Sequence, residues 1–336
     1  MSLKFMILVP IVLALLLALS IHLLWGFTWL IGKIFHFGVS YGLCRWITIC
    51  TVALAWLTLA YGYIFGRFQL DINQRSYESV TLPTSFHGYR IVHLSDIHLS
   101  TFNGHPEVLE RFVDSVNSQQ PDLICFTGDL VTIGVEEAQP FEDILKKLQA
   151  KDGVVSVLGN HDFLIYRRDY KSNRERTAAV DELTNYECDV LGWKLLRNQS
   201  LKIARGADTI TILGVDNYSC KDQGFHTVSY GDLNKAMLGT DGFRILLTHD
   251  PTHWRNQVVG QTNIPLTLSG HTHDAQIRLF GWSPSSRLFP EHAGWYHESS
   301  EDFTQSLYVN VGIGCTLPVR IGVNPEITVI DLFRKN

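Results

Sequence analysis

Residues 91–98 read IVHLSDIH, an apolar run, Ile91–Leu94, that leads directly into Asp96 and His98. The run has the length and β-branched content of a buried strand, and both polar residues after it can bind a metal. The same arrangement recurs four times downstream, as Leu123–Thr127 before Asp129, Val154–Leu158 before Asn160, Ile245–Thr248 before His249, and Leu266–Ser269 before His271. Ligand sites in open α/β sheets collect at the carboxyl ends of strands. Five such endings therefore predict one shared site.

The chain between these strands has the periodicity of helices. We expect helices at Pro106–Ser118, Phe141–Ala150, Arg176–Cys188 and Asp232–Leu238. Apolar residues recur at helical spacing in the first of them, at Leu109, Phe112, Val113 and Val116. Further strands are expected at Ile210–Val215, Tyr308–Val311 and Ile327–Leu332. This alternation indicates an α/β architecture with substantial parallel pairing.

Two uncharged apolar runs precede this alternation, at residues 5–32 and 46–66. Each is long enough for a membrane-spanning helix, which needs roughly 20 residues. Trp25 and Trp29, near the end of the first run, suit an interfacial aromatic belt. A cleaved signal peptide is the alternative for the first run, but its apolar core is too long and a second run follows it. We therefore expect a membrane anchor of two transmembrane helices in residues 1–70 and a separate domain in residues 71–336.

Charge and cysteine content narrow the compartment and the partners. Two crossings would place the N-terminus and the main domain on one side, with Lys4, Arg67 and Arg75 there against Lys33 and Arg45 in the connection. The six cysteines show no CxxC or regular spacing, which disfavours a disulfide framework or a zinc knuckle. We expect a multi-pass membrane protein whose main domain is cytoplasmic.

The net charge of −5 argues against a general nucleic-acid binder.

The polar motifs occur in a fixed order along the chain. They are D-x-H at Asp96, G-D at Asp129, G-N-H-D at Asn160, a lone histidine at His249 and G-H-x-H at His271. In this order and at strand ends they resemble the calcineurin-like metallophosphoesterase superfamily. Residues 246–254, 308–314 and 325–330 also resemble its membrane-anchored phosphodiesterase subgroup, so the resemblance covers roughly residues 85–333. It implies a two-sheet α/β/β/α sandwich, whereas periodicity alone indicates only α/β.

The resemblance also implies a role for each matched residue. One metal would be held by Asp96, His98 and His273, and the second by Asn160, His249 and His271, with the Asp129 carboxylate bridging both. Mixed carboxylate, imidazole and amide ligands suit two divalent ions such as Mn, Fe or Zn. Two ions about 3.5–4 Å apart can share a bridging hydroxide as the nucleophile. His161 would stabilise the transition state or protonate the leaving oxygen, and Asp162 would orient His161 or support the ligands.

The expected activity is hydrolysis of a phosphodiester or a pyrophosphate. Some members of the subgroup act on lipid substrates such as UDP-2,3-diacylglucosamine, and a membrane anchor would keep the site near such a substrate. The alternatives are a phosphomonoesterase of protein or small molecules and a non-catalytic membrane adaptor. The complete set of matched ligands argues against the adaptor. The expected partners are the phosphoester substrate and the membrane, and the oligomeric state is left open.

Two further features, Asp274 and a basic segment, allow more than one interpretation. Asp274 follows the last motif, where relatives commonly carry Gly, and could tune the metals or point to solvent. Five basic residues, Arg167, Arg168, Lys171, Arg174 and Arg176, could form a basic lip for phosphate head groups or a solvated face. His93 lies within a strand and is expected to be a packed core residue.

Overall fold

A pair of long helices opens the chain in the computed structural model, which describes residues 3–220, 223, 226–299 and 303–335. Helix α1 spans Leu3–Phe35 and helix α2 spans Tyr41–Ile64. They run antiparallel, since Trp25 contacts Tyr41 at the turn and the Trp56 indole donates to the Pro10 carbonyl (3.2 Å). Both are long and apolar enough, by length and composition, to cross a membrane.

The strands within the described residues form two six-stranded sheets. In chain order they are β1 (Asp71–Ser79), β2 (Tyr89–Leu94), β3 (Leu123–Phe126), β4 (Val154–Ser156), β5 (Lys194–Leu195), β6 (Gln199–Arg205), β7 (Asp208–Gly214), β8 (Phe243–Leu247), β9 (Leu266–Ser269), β10 (Gly294–Ser299), β11 (Thr304–Val309) and β12 (Glu326–Arg334). The first sheet has the order β1-β12-β2-β3-β4-β5 and the second β10-β11-β9-β8-β7-β6. Parallel pairing joins β2 through β5 in one sheet and β7, β8, β9 and β11 in the other.

The two sheets pack face to face, and helices cover their outer faces. Alternation along β2 shows the layering, because Ile91 packs between the sheets and Val92 packs on the helical side. The remaining α-helices in the described part of the chain are α3 (Pro106–Ser118), α4 (Glu142–Leu145), α5 (Asn173–Asn185) and α6 (Leu233–Met237). Strands buried on both faces read as continuous apolar runs, which is why the sequence predicts them well. The predicted α/β/β/α sandwich is thus confirmed.

The strands that the apolar runs do not predict are the four sheet edges, β1, β5, β6 and β10. Edge strands keep polar, solvent-facing residues, and β1 has a single buried residue, Tyr77. The predicted helix Phe141–Ala150 is wrong beyond its first turn, since α4 ends at Leu145. Helix α5 begins at Asn173, three residues before the predicted start, because Ser172 caps it by accepting from the Glu175 N–H.

A buried carboxyl group lies behind β4. Glu187 has no exposed surface, and one of its oxygens accepts from the Ser156 hydroxyl at 2.6 Å. The other oxygen makes no hydrogen bond within the described residues. Burial and the neighbouring Asp162 raise the pKa of Glu187 well above its usual range. The fold therefore favours the protonated, neutral form of Glu187 over its carboxylate.

Replacing Glu187 with Gln should stabilise the protein at neutral pH. In the unfolded chain Glu187 titrates near pH 4.3. Because its pKa is raised on folding, the wild type loses stability as the pH rises above that value, by at most about 1.4 kcal/mol per pH unit. Gln has the shape of the neutral acid and no such dependence. We expect similar free energies of unfolding at about pH 4.5 and a more stable Glu187→Gln variant at about pH 7.5.

Denaturant unfolding of the full chain in detergent measures this difference. Glu182→Gln, on the exposed side of α5, is the matched control and should track the wild type at both pH values. A stability difference that does not widen with pH would contradict a buried neutral carboxyl.

Candidate metal centre

The seven residues predicted as ligands lie together where strand ends from both sheets meet. The first sheet supplies Asp96, His98, Asp129 and Asn160, and the second sheet supplies His249, His271 and His273. All seven side chains are buried. Neither sheet alone would complete the cluster, so the site depends on how the two sheets pack.

One group of ligand atoms gathers around Asp96. Its Oδ1 lies 3.2 Å from His273 Nε2 and 3.8 Å from His98 Nε2. The two Nε2 atoms are 3.1 Å apart. Asp96 Oδ1 is buried without a hydrogen bond among the described residues, although it faces both rings. A buried carboxylate oxygen in this position fits a cation placed between the three side chains.

A second group gathers around His249. Its Nε2 lies 3.1 Å from Asp129 Oδ2 and 3.1 Å from His271 Nδ1. The Asn160 side-chain oxygen is 2.9 Å from the same His271 nitrogen. The other Asn160 atom, Nδ2, donates to the Tyr166 hydroxyl (2.8 Å), which directs the amide oxygen towards the cluster.

Asp129 joins the two groups through one oxygen. Its Oδ2 is 3.1 Å from His249 Nε2 in one group and 3.5 Å from His98 Nε2 in the other. Its Oδ1 accepts the His161 backbone N–H at 2.8 Å, which fixes the orientation of the carboxylate. This is the position that a bridging ligand requires.

The electrostatics of the cluster favour positive charge at its centre. Burial would raise the pKa of Asp96, but the imidazoles of His273, His249 and His98 hold it well below its usual range. Burial and the neighbouring His161 lower the pKa of His98 well below its usual range, so its imidazole is neutral and able to coordinate. Burial opposes protonation of His249, yet the Asp129 and Asp96 carboxylates raise its pKa to about 10. The donor set thus fits divalent cations by both geometry and charge.

The backbone around these ligands is strained in a consistent way. Five of the seven predicted ligands have a positive φ, namely Asp96, His98, Asp129, His271 and His273. Non-glycine residues rarely adopt this conformation, and it collects at functional sites. The motif glycines have a steric reason, because a Cβ on Gly159 would collide with Asp129 and one on Gly270 would collide with Ser95 and Asp96.

Groups outside the motifs hold the outer nitrogens of the imidazoles. His249 Nδ1 is 2.8 Å from the Thr127 carbonyl, His271 Nε2 is 2.9 Å from Gln223 Oε1, and His273 Nδ1 is 3.4 Å from Arg320 Nη2. Such partners fix which ring nitrogen faces a metal. Asp250 accepts from Gln223 Nε2 and so holds that amide in place. The motif pattern gave no signal for Gln223 or Arg320, whereas Asp250 stands beside His249 and could have been included.

His161 and Asp162 differ in what they contact. The ring of His161 has Nδ1 2.7 Å from the Thr132 carbonyl, which leaves Nε2 for the cavity beside the cluster. Asp162 accepts four backbone N–H groups instead, from Asp129, Leu130, Val131 and Gly159. Of the two roles expected for Asp162, these contacts fit support of the ligands, because the Thr132 carbonyl and not Asp162 contacts the His161 ring. Asp162 holds together the two loops that carry Asp129 and Asn160.

The structure also decides between the interpretations of Asp274. Its side chain is buried and pairs with Arg278 at 2.5 Å, so it does not point to solvent. Its φ of 49° lies in the left-handed region, which favours glycine and which Asp tolerates. His93 is a buried core residue, as predicted, with Nε2 2.9 Å from the Thr127 hydroxyl.

The basic segment after His161 is partly neutralised. Arg167 forms ion pairs with Glu136 at 2.7 Å and Asp169 at 2.8 Å. Arg176 donates to the Phe163 carbonyl. Three of the five basic side chains, Arg168, Lys171 and Arg174, are exposed. A basic lip built on Arg167 is therefore not supported, and the exposed three fit a solvated face.

Comparison with known proteins agrees with this geometry. Residues 89–275 match the profile of the calcineurin-like phosphoesterases. The chain is 32% identical over 292 residues to an uncharacterized metallophosphoesterase, YkuE, of Bacillus subtilis, an alignment that covers 83% of this chain and 93% of YkuE. The chain therefore belongs to the calcineurin-like phosphoesterase family and is a metal-dependent phosphoester hydrolase.

Two other relatives bear on its setting. A transmembrane protein with a metallophosphoesterase domain from Danio rerio is 31% identical over 268 residues, covering 75% of this chain. The alignment covers 54% of that relative, so this chain spans about half its length. The UDP-2,3-diacylglucosamine pyrophosphatase LpxG of Chlamydia trachomatis is 28% identical over 295 residues, which covers 73% of this chain and 85% of LpxG.

Replacing Asp162 with Asn should destabilise the fold strongly. Asn presents one acceptor oxygen, so two of the four backbone N–H groups would face an amide that also donates. Each buried unsatisfied group costs about 1–3 kcal/mol, and we expect a loss of about 3 kcal/mol in the free energy of unfolding. Burial and Asp129 raise the pKa of Asp162 to about 7, so the measurement belongs near pH 8, where the wild-type carboxylate is ionised.

Asp181→Asn on the exposed side of α5 is the control and should behave as the wild type. A cost below about 1 kcal/mol for Asp162→Asn would show that the four N–H contacts contribute little.

Proposed function

We propose that this protein is a membrane-anchored hydrolase with two divalent cations, acting on a phosphodiester or pyrophosphate bond of a lipid-linked substrate. In this proposal residues 1–70 form the anchor, residues 71–336 form the phosphoesterase domain, and that domain is cytoplasmic. The observation that carries it is the position of Asp129 Oδ2 between the His98 and His249 groups. One ion would be held by Asp96, His98 and His273 and the other by Asn160, His249 and His271, with Asp129 shared.

In this proposal the side chains around the cluster have different roles in catalysis. When bound, the two cations would supply a hydroxide near neutral pH and neutralise charge on the phosphate oxygens. His161, whose Nδ1–H donates to the Thr132 carbonyl, would give the Nε2 proton of its imidazolium form to the leaving oxygen and so become the neutral imidazole. Tyr166 donates to the His226 carbonyl (2.6 Å) and accepts from Asn160, so it holds Asn160 in its ligand orientation.

The cavity beside the cluster supports a substrate with an apolar part. It has a volume of about 400 Å³, and its lining includes Asp129, His161 and His271. Five apolar residues also line it, namely Ala275, Pro284, Leu288, Phe289 and Leu317. A free phosphate or nucleotide would leave these apolar side chains in contact with water, whereas an acyl chain would cover them. The name of the Chlamydia relative, a pyrophosphatase of a diacylated sugar nucleotide, supports the same class of substrate.

Removing the bridging carboxylate should release metal and abolish turnover. For the full chain purified with Mn²⁺, we expect two metal equivalents per chain and hydrolysis of bis-p-nitrophenyl phosphate. Asp129→Ala should retain at most one equivalent. Its kcat/KM should fall by more than about 10²-fold, because even the loss of an outer-layer partner of a metal ligand costs 10–100-fold. Asp169→Ala, an exposed carboxylate outside the cavity, is the control.

Elemental analysis and turnover are measured on the same preparation. If Asp129→Ala keeps two ions and full turnover, the shared-ligand assignment is wrong. If the wild type binds metal yet hydrolyses no phosphoester, the chain is the adaptor and not the enzyme.

The role of His161 can be tested through the leaving group. As a proton donor, His161 should matter most for an alkyl leaving group and least for p-nitrophenolate, which leaves without protonation. We expect His161→Asn to lower kcat by about 10²-fold or more on an alkyl phosphodiester and by much less on bis-p-nitrophenyl phosphate. Equal losses on both substrates would assign His161 to transition-state stabilisation instead.

A further inference from the structure

A tight turn beside the cavity exposes an apolar tip. Leu279 and Trp282 exchange backbone hydrogen bonds of 2.9 and 3.0 Å, and Phe280 and Gly281 between them have positive φ values of 52° and 83°. This is the geometry of a two-residue hairpin turn, where Asn or Gly is usual at the first central position. Phe280 is fully exposed, and Leu279 and Trp282 are about half exposed. An aromatic residue held in a conformation that disfavours it, with no cover, suggests a contact outside the chain.

Two further exposed apolar residues line the cavity itself. Leu288 and Leu317 both line the cavity, yet 46% and 38% of their surfaces remain exposed. Pro284 lines the cavity as well and lies two residues beyond Trp282. We call the surface formed by Leu279, Phe280, Trp282, Leu288 and Leu317 the apolar rim. Two of its members, Leu288 and Leu317, line the cavity that contains the ligands.

The base of the turn is tied to the end of the second apolar helix. Arg278 N–H donates to the Ile321 carbonyl at 2.8 Å, and Arg320 N–H donates to the Gly62 carbonyl at 3.2 Å. A Cβ on Gly62 would collide with Val319 and Ile321, so helix α2 packs directly on this segment. The rim is therefore attached to the last turn of α2, where a spanning helix would leave the membrane.

Charge around the rim matches a lipid surface. From Ala275 to Pro290 the sequence contains no acidic residue and two arginines, Arg278 and Arg287. Arg278 is paired with Asp274, while Arg287 is exposed between the turn and Leu288. Tryptophan beside arginine at the edge of an apolar surface is typical of segments that insert into the headgroup region. Each basic group near an anionic leaflet adds to the attraction.

We propose that the apolar rim inserts into the leaflet from which α2 emerges, so that the cavity opens on the lipid surface. The purpose of this placement rests on the proposed function. The acyl part of the substrate would stay in the bilayer while its phosphate reaches the ligands. It also explains why the exposed aromatic tip lies beside the attachment of the anchor and not elsewhere on the domain.

Photocrosslinking of the full chain tests the insertion without any need for activity. The photoreactive residue p-benzoylphenylalanine replaces Phe280 in protein reconstituted into phosphatidylglycerol–phosphatidylethanolamine vesicles. In the control, the photoreactive residue replaces Leu238, which is 82% exposed. Leu238 lies between α6 and the start of β8, whereas His249 follows the other end of β8. We expect lipid adducts at position 280 and none at position 238. No lipid adduct at 280, or a crosslink to a second chain in its place, would overturn the proposal.

Substrate presentation gives a second, functional test. Full-chain Phe280→Asp in vesicles is compared with the wild type on a diacylglycerol p-nitrophenyl phosphate in the bilayer and on soluble bis-p-nitrophenyl phosphate. Loss of one inserted aromatic side chain should lower the bilayer-to-soluble ratio of kcat/KM by about tenfold. Leu238→Asp should leave the ratio unchanged.

The two tests separate this proposal from the proposed function. An unchanged ratio for Phe280→Asp would count against the insertion while hydrolysis itself stands. If the wild type hydrolyses neither substrate, the proposed function fails, and lipid adducts at position 280 still support the insertion.

Discussion

Two buried carboxylates at one seam between the sheets set the conditions for the rest of the structure. Asp96 and Asp129 are shielded from solvent, and the basic groups that face them are imidazoles, three of them within 3.5 Å. Burying an unpaired carboxylate costs several kcal/mol, and together Asp129 and Asp96 raise the pKa of His249 to about 10. Divalent cations at the centre of the cluster would satisfy both carboxylates and replace the proton on His249, so that the imidazoles could act as ligands. The chain also belongs to a metal-dependent family, which is independent support for divalent cations at this site.

The fold is arranged to meet this requirement. Packing two sheets face to face brings the carboxyl ends of their parallel strands to one edge, and each sheet then supplies part of the ligand set. Sharp turns after the strands put five ligands in the left-handed region, and the strain is held by buried contacts such as the four N–H groups on Asp162. Thr127, Gln223 and Arg320 then contact the outer ring nitrogens of the histidines. The orientation of each imidazole is therefore fixed by these partners as well as by the backbone at the strand ends.

The central strands and the ligands that follow them can be predicted from the sequence, whereas the edge strands and the outer partners of the ligands cannot. Strands such as β2 and β8 are buried on both faces and therefore apolar throughout, and the motif after each one is local in sequence. The edge strands are not predicted, because their solvent-facing residues are polar and so form no continuous apolar run. Arg320 and Gln223 lie in loops far along the chain from the histidines they support, and no spacing rule connects them. Asp162 was noticed, but its partners are backbone amides, which leave no trace in a residue pattern.

Helix α2 contacts the two-sheet core at the segment Val319–Ile321. That segment packs on the end of α2, pairs with the base of the Leu279–Trp282 turn and carries the arginine beside His273. The metal centre itself can be tested by anomalous diffraction from crystals of the full chain grown with Mn²⁺. We expect two peaks about 3.5–4 Å apart, both bound by the Asp129 carboxylate. A single peak, or none beside Asp129, would contradict it.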